Sequence, residues 1–148
     1  MSESGHAAVS FLEAVSKNSQ ELSEAQILNL AYMGDAVFEL MVRTHIMDST
    51  KSAANDLHKA AKGYVNACAQ ANMYKALEGF LSEQELSVMR RGRNAKSQSK
   101  AKNATIGSYR HATGMEALFG YLYLKNEVAR LLEIFEICVN TPFKEHKL

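Results

Sequence analysis

Apolar residues recur every three to four positions along almost all of this chain, and strand-like alternation of β-branched residues is missing. That period belongs to the α-helix, so the chain is predicted to be all-α. The clearest element opens at Ser23-Glu24-Ala25-Gln26, a capping-box pattern in which the serine hydroxyl accepts from a backbone N–H and Gln26 reaches back. From there Ile27, Leu30, Ala31, Gly34, Phe38, Met41 and Val42 line one stripe, which carries the helix to about His45. A shorter helix is expected before it, over about 7–15, and a long helical region after it, over about 53–77, broken at Gly63 or Asn72. Ser82-Glu83-Gln84-Glu85 repeats the capping box and opens a short helix that Gly92 is expected to stop. From Asn94 to about Gly107 the pattern lapses into Lys, Ser, Gln, Asn and Ala, the composition of a loop. A helix over about 109–124 follows, and then a last one, capped by Asn126 and running to about Cys138.

At 148 residues, with 47% hydrophobic and 22% charged positions, the chain is expected to form one globular domain, 1–148. No apolar run approaches the roughly 20 residues of a membrane helix, so no membrane partner is expected. The first residues lack a basic start followed by an apolar stretch, which argues against a secretory leader. Cys68 and Cys138 stand alone, without a CxxC or Cys/His cluster, so reduced thiols in a cytoplasmic protein are expected and a zinc site is not.

Two carboxylates sit where an acid is costly. Asp35 lies four residues after Ala31, three before Phe38 and seven before Val42, on the face of that apolar stripe and between the small residues Gly34 and Ala36. Glu116 repeats the arrangement, with Ala112 four before it, Phe119 three after, Gly120 four after and Tyr123 seven after. An acid on such a face loses hydration and must gain a partner or a metal. Each alone reads first as a helix-edge acid that pairs with Arg or Lys or simply faces solvent. Together, on separate helices and flanked by small residues, they suggest a shared site of hard oxygen ligands suited to Mg²⁺.

The formal net charge is only +1, but the distribution is uneven. Arg90, Arg91, Arg93, Lys96, Lys100 and Lys102 fall in one stretch with no acid, and without them eleven basic residues face sixteen acidic ones, a net of −5. Arg90 and Arg91 also sit at a helix end, where positive charge complements the helix dipole. The remaining lysines, mixed with small polar residues such as Asn94, suit phosphate and 2′-OH contacts. No aromatic residue is interleaved, which disfavours stacking on single-stranded bases and favours a double-helical partner.

Tyr32-Met33-Gly34-Asp35-Ala36-Val37 resembles the signature helix of the ribonuclease III family. Met115-Glu116-Ala117-Leu118-Phe119-Gly120-Tyr121-Leu122-Tyr123-Leu124 resembles the family's second acidic helix. With the Arg-Gly-Arg-Asn-Ala-Lys-Ser stretch at 91–97 between them, their order is similar to the mini-ribonuclease III branch, over a core of about 22–139. The resemblance implies an all-helical catalytic domain that works as a two-fold homodimer, the signature helices meeting at the interface. It also implies a Mg²⁺-dependent endoribonuclease (Mn²⁺ as a substitute, no small-molecule cofactor) that cuts double-stranded RNA to leave 5′-phosphates. The branch lacks a double-stranded-RNA-binding domain and trims precursor 23S ribosomal RNA.

Asp35 and Glu116 would then be the catalytic and metal-holding pair, and Arg90, Arg91, Arg93, Asn94, Lys96, Lys100 and Lys102 the RNA-binding residues. Larger relatives have a glutamate where this chain has Ala31 and an aspartate where it has Thr113, which implies fewer protein ligands and more metal-bound waters. Glu39 and Asp56 are candidate outer contributors, although Glu39 can equally pair with Arg43, four residues on. His45, His58 and His111 lack metal-ligand spacing, while Lys59, Arg110 and His111 are candidate phosphate contacts. The competing readings are an inactive ribonuclease III-like RNA-binding or ribosome-assembly factor, and an unrelated helical DNA-binding domain.

Overall fold

The structure, a computed structural model, describes residues 11–49, 54–96 and 106–141. Among these every regular element is helical. They are α1 over residues 11–17, a 3₁₀ turn Ser19–Glu21, α2 Glu24–Ser49, α3 Ala54–Lys62, α4 Ala67–Leu77, α5 Glu83–Asn94, α6 Ile106–Leu124 and α7 Val128–Val139.

Both capping boxes form. Gln26 N–H donates to Ser23 Oγ at 3.1 Å and Ser23 N–H to Gln26 Oε1 at 2.9 Å. At the start of α5, Glu85 N–H donates to Ser82 Oγ at 3.2 Å and Ser82 N–H to Glu85 Oε1 at 2.9 Å. The long region after α2 breaks at residues 63–66, and Asn66 caps α4 by accepting from Ala69 N–H at 2.8 Å; Asn72, the other candidate break, lies inside that helix. The part of the first expected helix over 7–10 lies outside the described residues.

Two punctuation marks work differently from the sequence expectation. Gly92 does not stop α5. The helix continues to Asn94, because Gly92 is buried against α6, where a Cβ would lie 2.8 Å from Ala117 Cβ and 2.9 Å from Gly114 Cα. Asn126 does not cap α7 either; it ends α6. Its φ is 61°, its N–H donates to Tyr123 O, and the following Glu127 N–H donates to Leu122 O, both at 3.0 Å. This is a Schellman closure, with asparagine in the left-handed position that usually takes glycine.

Helix α6 is the axis of the bundle. Ten of its residues, from Ala112 to Leu122 with Glu116 the one exception, are buried, so it is covered on nearly all sides rather than along one stripe. Helices α2, α4 and α5 pack most extensively on it, and α7 packs more lightly against both α4 and α6. Phe38 of α2 meets Phe119 of α6 edge-on at 5.2 Å and Phe135 of α7 at 6.1 Å, which joins three helices in one aromatic cluster. Arg130 pairs with the buried Glu85 at 2.8 Å, tying α7 to the start of α5. Among the described residues no helix is long and apolar enough to cross a membrane.

Candidate active site

Helices α2 and α6 cross with their backbones in contact. A Cβ at Gly34 would fall 1.6 Å from the Glu116 carbonyl oxygen and 2.8 Å from Gly120 N. One at Gly120 would fall 2.0 Å from the Leu30 carbonyl oxygen. Glycine at both positions is therefore a packing requirement. The residue after Gly34 is Asp35 and the residue four before Gly120 is Glu116, so the crossing carries the two carboxyls toward each other, and they form a side-chain hydrogen bond.

The acids are unequal. Asp35 is exposed and Glu116 is half-buried; the expectation that both lose hydration holds only for Glu116. Burial chiefly, then the negative charge of Asp35 and the hydrogen bond with it, push the Glu116 carboxyl up to about 8. A neighbour from a third helix opposes this. Gln70 of α4 donates from Nε2 to Glu116 Oε2 at 3.5 Å. The sequence reading missed Gln70. Its signal was present, since Gln70 precedes the buried Met73, Tyr74 and Leu77 by three, four and seven residues and so shares their face.

The donor set consists of two carboxylates with an amide behind one of them. Hard oxygens of this kind fit a divalent ion that keeps most of its waters. No group of three or more His, Cys, Asp or Glu residues forms among the described residues, so neither Glu39 nor Asp56 completes the pair. Glu39 instead pairs with Arg43 at 3.3 Å. Ala31 and Thr113, at which the family resemblance implies no further ligands, are both buried, and Thr113 Oγ1 donates to Tyr109 O at 3.0 Å along its own helix.

The basic segment divides. Arg90, Asn94 and Lys96 are exposed. The half-buried Arg93 lies 5.7 Å from the centroid of the Tyr74 ring and donates to Asn94 Oδ1 at 3.1 Å. Arg91 points elsewhere, donating to Ser19 O at 2.9 Å and to Leu22 O, so its guanidinium anchors the 3₁₀ turn to α5 and is withdrawn from the exposed basic group. Lys100 and Lys102 lie outside the described residues. Arg110 is exposed, and His111 Nδ1 is hydrogen-bonded to Gly107 O at 2.7 Å with its ring edge-on to Tyr74 at 4.7 Å. His45 packs against Tyr64 and Phe135, His58 lines a small hollow with Met47 and Leu57, and Lys59 is exposed. Helix α4 links the two regions, with Gln70 at Glu116 and Tyr74 at Arg93 and His111, one helical turn or about 6 Å apart.

The Ribonuclease III domain profile matches residues 28–127. The chain is 46% identical over 122 residues to a Mini-ribonuclease 3 of Clostridium tetani, covering 82% of this chain and 81% of that protein. It is 52% identical over 109 residues to one of Brevibacillus brevis, covering 74% and 81%. A crystal structure of a Fusobacterium nucleatum protein superposes with a TM-score of 0.71 at 30% identity, covering 84% of this chain and 97% of that one.

Proposed function

The chain belongs to the ribonuclease III family, within it to the mini-ribonuclease 3 group, and from that premise we propose that Asp35 and Glu116 form its catalytic, metal-holding pair. It is an endoribonuclease of the ribonuclease III type, which acts on double-stranded RNA. The observation that carries the assignment is the hydrogen-bonded contact of two acids from helices 81 positions apart in sequence, made where the backbones of α2 and α6 touch.

Mg²⁺, or Mn²⁺ in its place, would be held by these two carboxylates and supply an activated water and charge neutralisation at the scissile phosphate. Burial and the adjacent Asp35 favour the protonated form of Glu116, and a bound cation would favour the ionised form, because two adjacent carboxylates ionise together only at high cost. Asp35, the exposed member, is open to solvent and so accessible to an arriving phosphate and its cation. Arg90, Arg93, Asn94 and Lys96, with Lys100 and Lys102, position the duplex by its backbone. Cutting both strands calls for two sites, and the exposed apolar residues Tyr32, Leu40 and Met47 on α2 (82%, 66% and 66% exposed) support a two-fold homodimer through that helix. We assign the products 5′-phosphate ends, the natural substrate precursor 23S ribosomal RNA, and the location the cytoplasm.

The deciding experiment compares wild type, Asp35→Asn and Glu116→Gln on long double-stranded RNA with Mg²⁺. Wild type is expected to cut, and both variants to bind duplex without cutting. Cleavage that survives Asp35→Asn removes the pair from the mechanism, and a wild type that binds without cutting makes the chain an RNA-binding factor.

A further inference from the structure

Gln70 is 4% exposed, on a face of α4 otherwise lined by Met73, Tyr74 and Leu77. Burying an amide is unfavourable unless it is hydrogen-bonded, and a leucine or methionine would fill the space without that demand. The amide instead reaches across to α6, and its Nε2 donates to Glu116 Oε2 at 3.5 Å. Its backbone is held in place from behind. Gln70 N–H donates to the Asn66 carbonyl at 3.0 Å, and Asn66 both caps α4 and donates from Nδ2 to Lys62 O at 2.8 Å.

A carboxylate so placed can be steadied in two ways, by another charge or by a neutral donor. A cation would compete with the incoming metal ion, and a third acid would add repulsion to a pair already in contact. A neutral N–H favours the ionised form of Glu116 without changing the charge of the site. The positions from which further acids could have come are spent, Ala31 on the core and Thr113 on its own helix. We propose that Gln70 is a positioning residue of the nuclease: its amide N–H holds Glu116 Oε2 so that the carboxylate meets a divalent ion in the orientation in which it meets Asp35. This rests on the reading of Asp35 and Glu116 as the metal-holding pair.

The test uses the full chain as wild type, Gln70→Met and Asp35→Asn. Mn²⁺ is titrated without RNA and followed by electron paramagnetic resonance; cleavage is then measured under single turnover across a Mg²⁺ series. Gln70→Met is expected to bind Mn²⁺ about tenfold more weakly, the usual scale for losing an outer-shell partner. It should need correspondingly more Mg²⁺ for half-maximal cleavage and approach the wild-type rate at saturation. Wild-type Mn²⁺ affinity and Mg²⁺ requirement in Gln70→Met overturn the proposal and make Gln70 a packing residue. As a check independent of that variant's folding, the Gln70 side-chain amide resonance of wild type is expected to shift on adding Mg²⁺, and an unmoved resonance overturns the proposal equally. Failure of the underlying reading looks different, since Asp35→Asn would then bind Mn²⁺ and cut like wild type.

Discussion

Helix α6 is crossed by α2 and by α5 through the same device, glycines that let backbones touch, yet the two crossings carry opposite cargo. At the first, Gly34 and Gly120 bring Asp35 against Glu116, two acids so close that Glu116 is held toward its protonated form. At the second, Gly92 and Gly114 bring the end of α5 onto α6, and what emerges is a cationic group of Arg90, Arg93 and Lys96 with no acid in its stretch of sequence. On the proposed reading the first crossing, at a cost in stability, would receive a cation and the second would receive phosphate. Close packing sets distances and is indifferent to charge, so the same structural solution serves an acidic and a basic region.

The sharpest way to break the comparison is to change charge without changing packing. Asp35→Asn is expected to lower single-turnover cleavage about 10³-fold or more, the loss of several kcal/mol of transition-state stabilisation, while gel-shift affinity for duplex RNA stays within a few-fold. Changing packing without charge comes next. Gly34→Ala places a methyl into backbone and is expected to cost about 3 kcal/mol in denaturant unfolding, separating the acids as α2 is displaced. Gly92→Ala meets a side chain and a glycine Cα at 2.8–2.9 Å, and should cost less, about 1–2 kcal/mol.

The cost of the acid pair itself is visible in pH. The folded chain keeps a proton on Glu116 up to about pH 8 that the unfolded chain releases near the ordinary glutamate value of 4.5. Between those values the native state binds more protons, so metal-free stability from this group falls as pH rises and levels off above about 8. Glu116→Gln is expected to remove that decline and stabilise the metal-free protein by ~1–3 kcal/mol above pH 8, read from melting curves across pH. Saturating Mg²⁺ should do the same for wild type alone. A wild-type curve as flat as that of Glu116→Gln would show the pair to be unstrained.

The smallest effect belongs to the basic crossing. Lys96→Ala is expected to weaken duplex binding by about tenfold or less and lower the salt slope by about one, leaving stability unchanged. Arg91→Ala should do the reverse, lowering stability through the loss of its bonds to Ser19 and Leu22 with little effect on the salt slope.

Much of this was legible along the chain, for a local reason. Capping boxes at Ser23 and Ser82 need only residues three apart, and the apolar period marks helices wherever one face is buried, so the all-helical class and the first apolar stripe follow from neighbours. Asp35 and Glu116 stood out because each shares a helical face with apolar residues, a signal that burial bears out for Glu116 and not for the exposed Asp35. The tertiary structure decided the rest, because it depends on what comes from another helix. Gly92 reads as a stop until α6 lies against it, Arg91 reads as a free cation until the carbonyls of Ser19 and Leu22 come within reach, and Gln70 reads as an ordinary polar residue until Glu116 is beside it. The sequence by itself determined the helices and marked Asp35 and Glu116 as candidates, although only Glu116 is withdrawn from water. Only the packing of α2, α4 and α5 around α6 decided which residues meet, since helical periodicity specifies a direction from one axis and says nothing of the distance to the next.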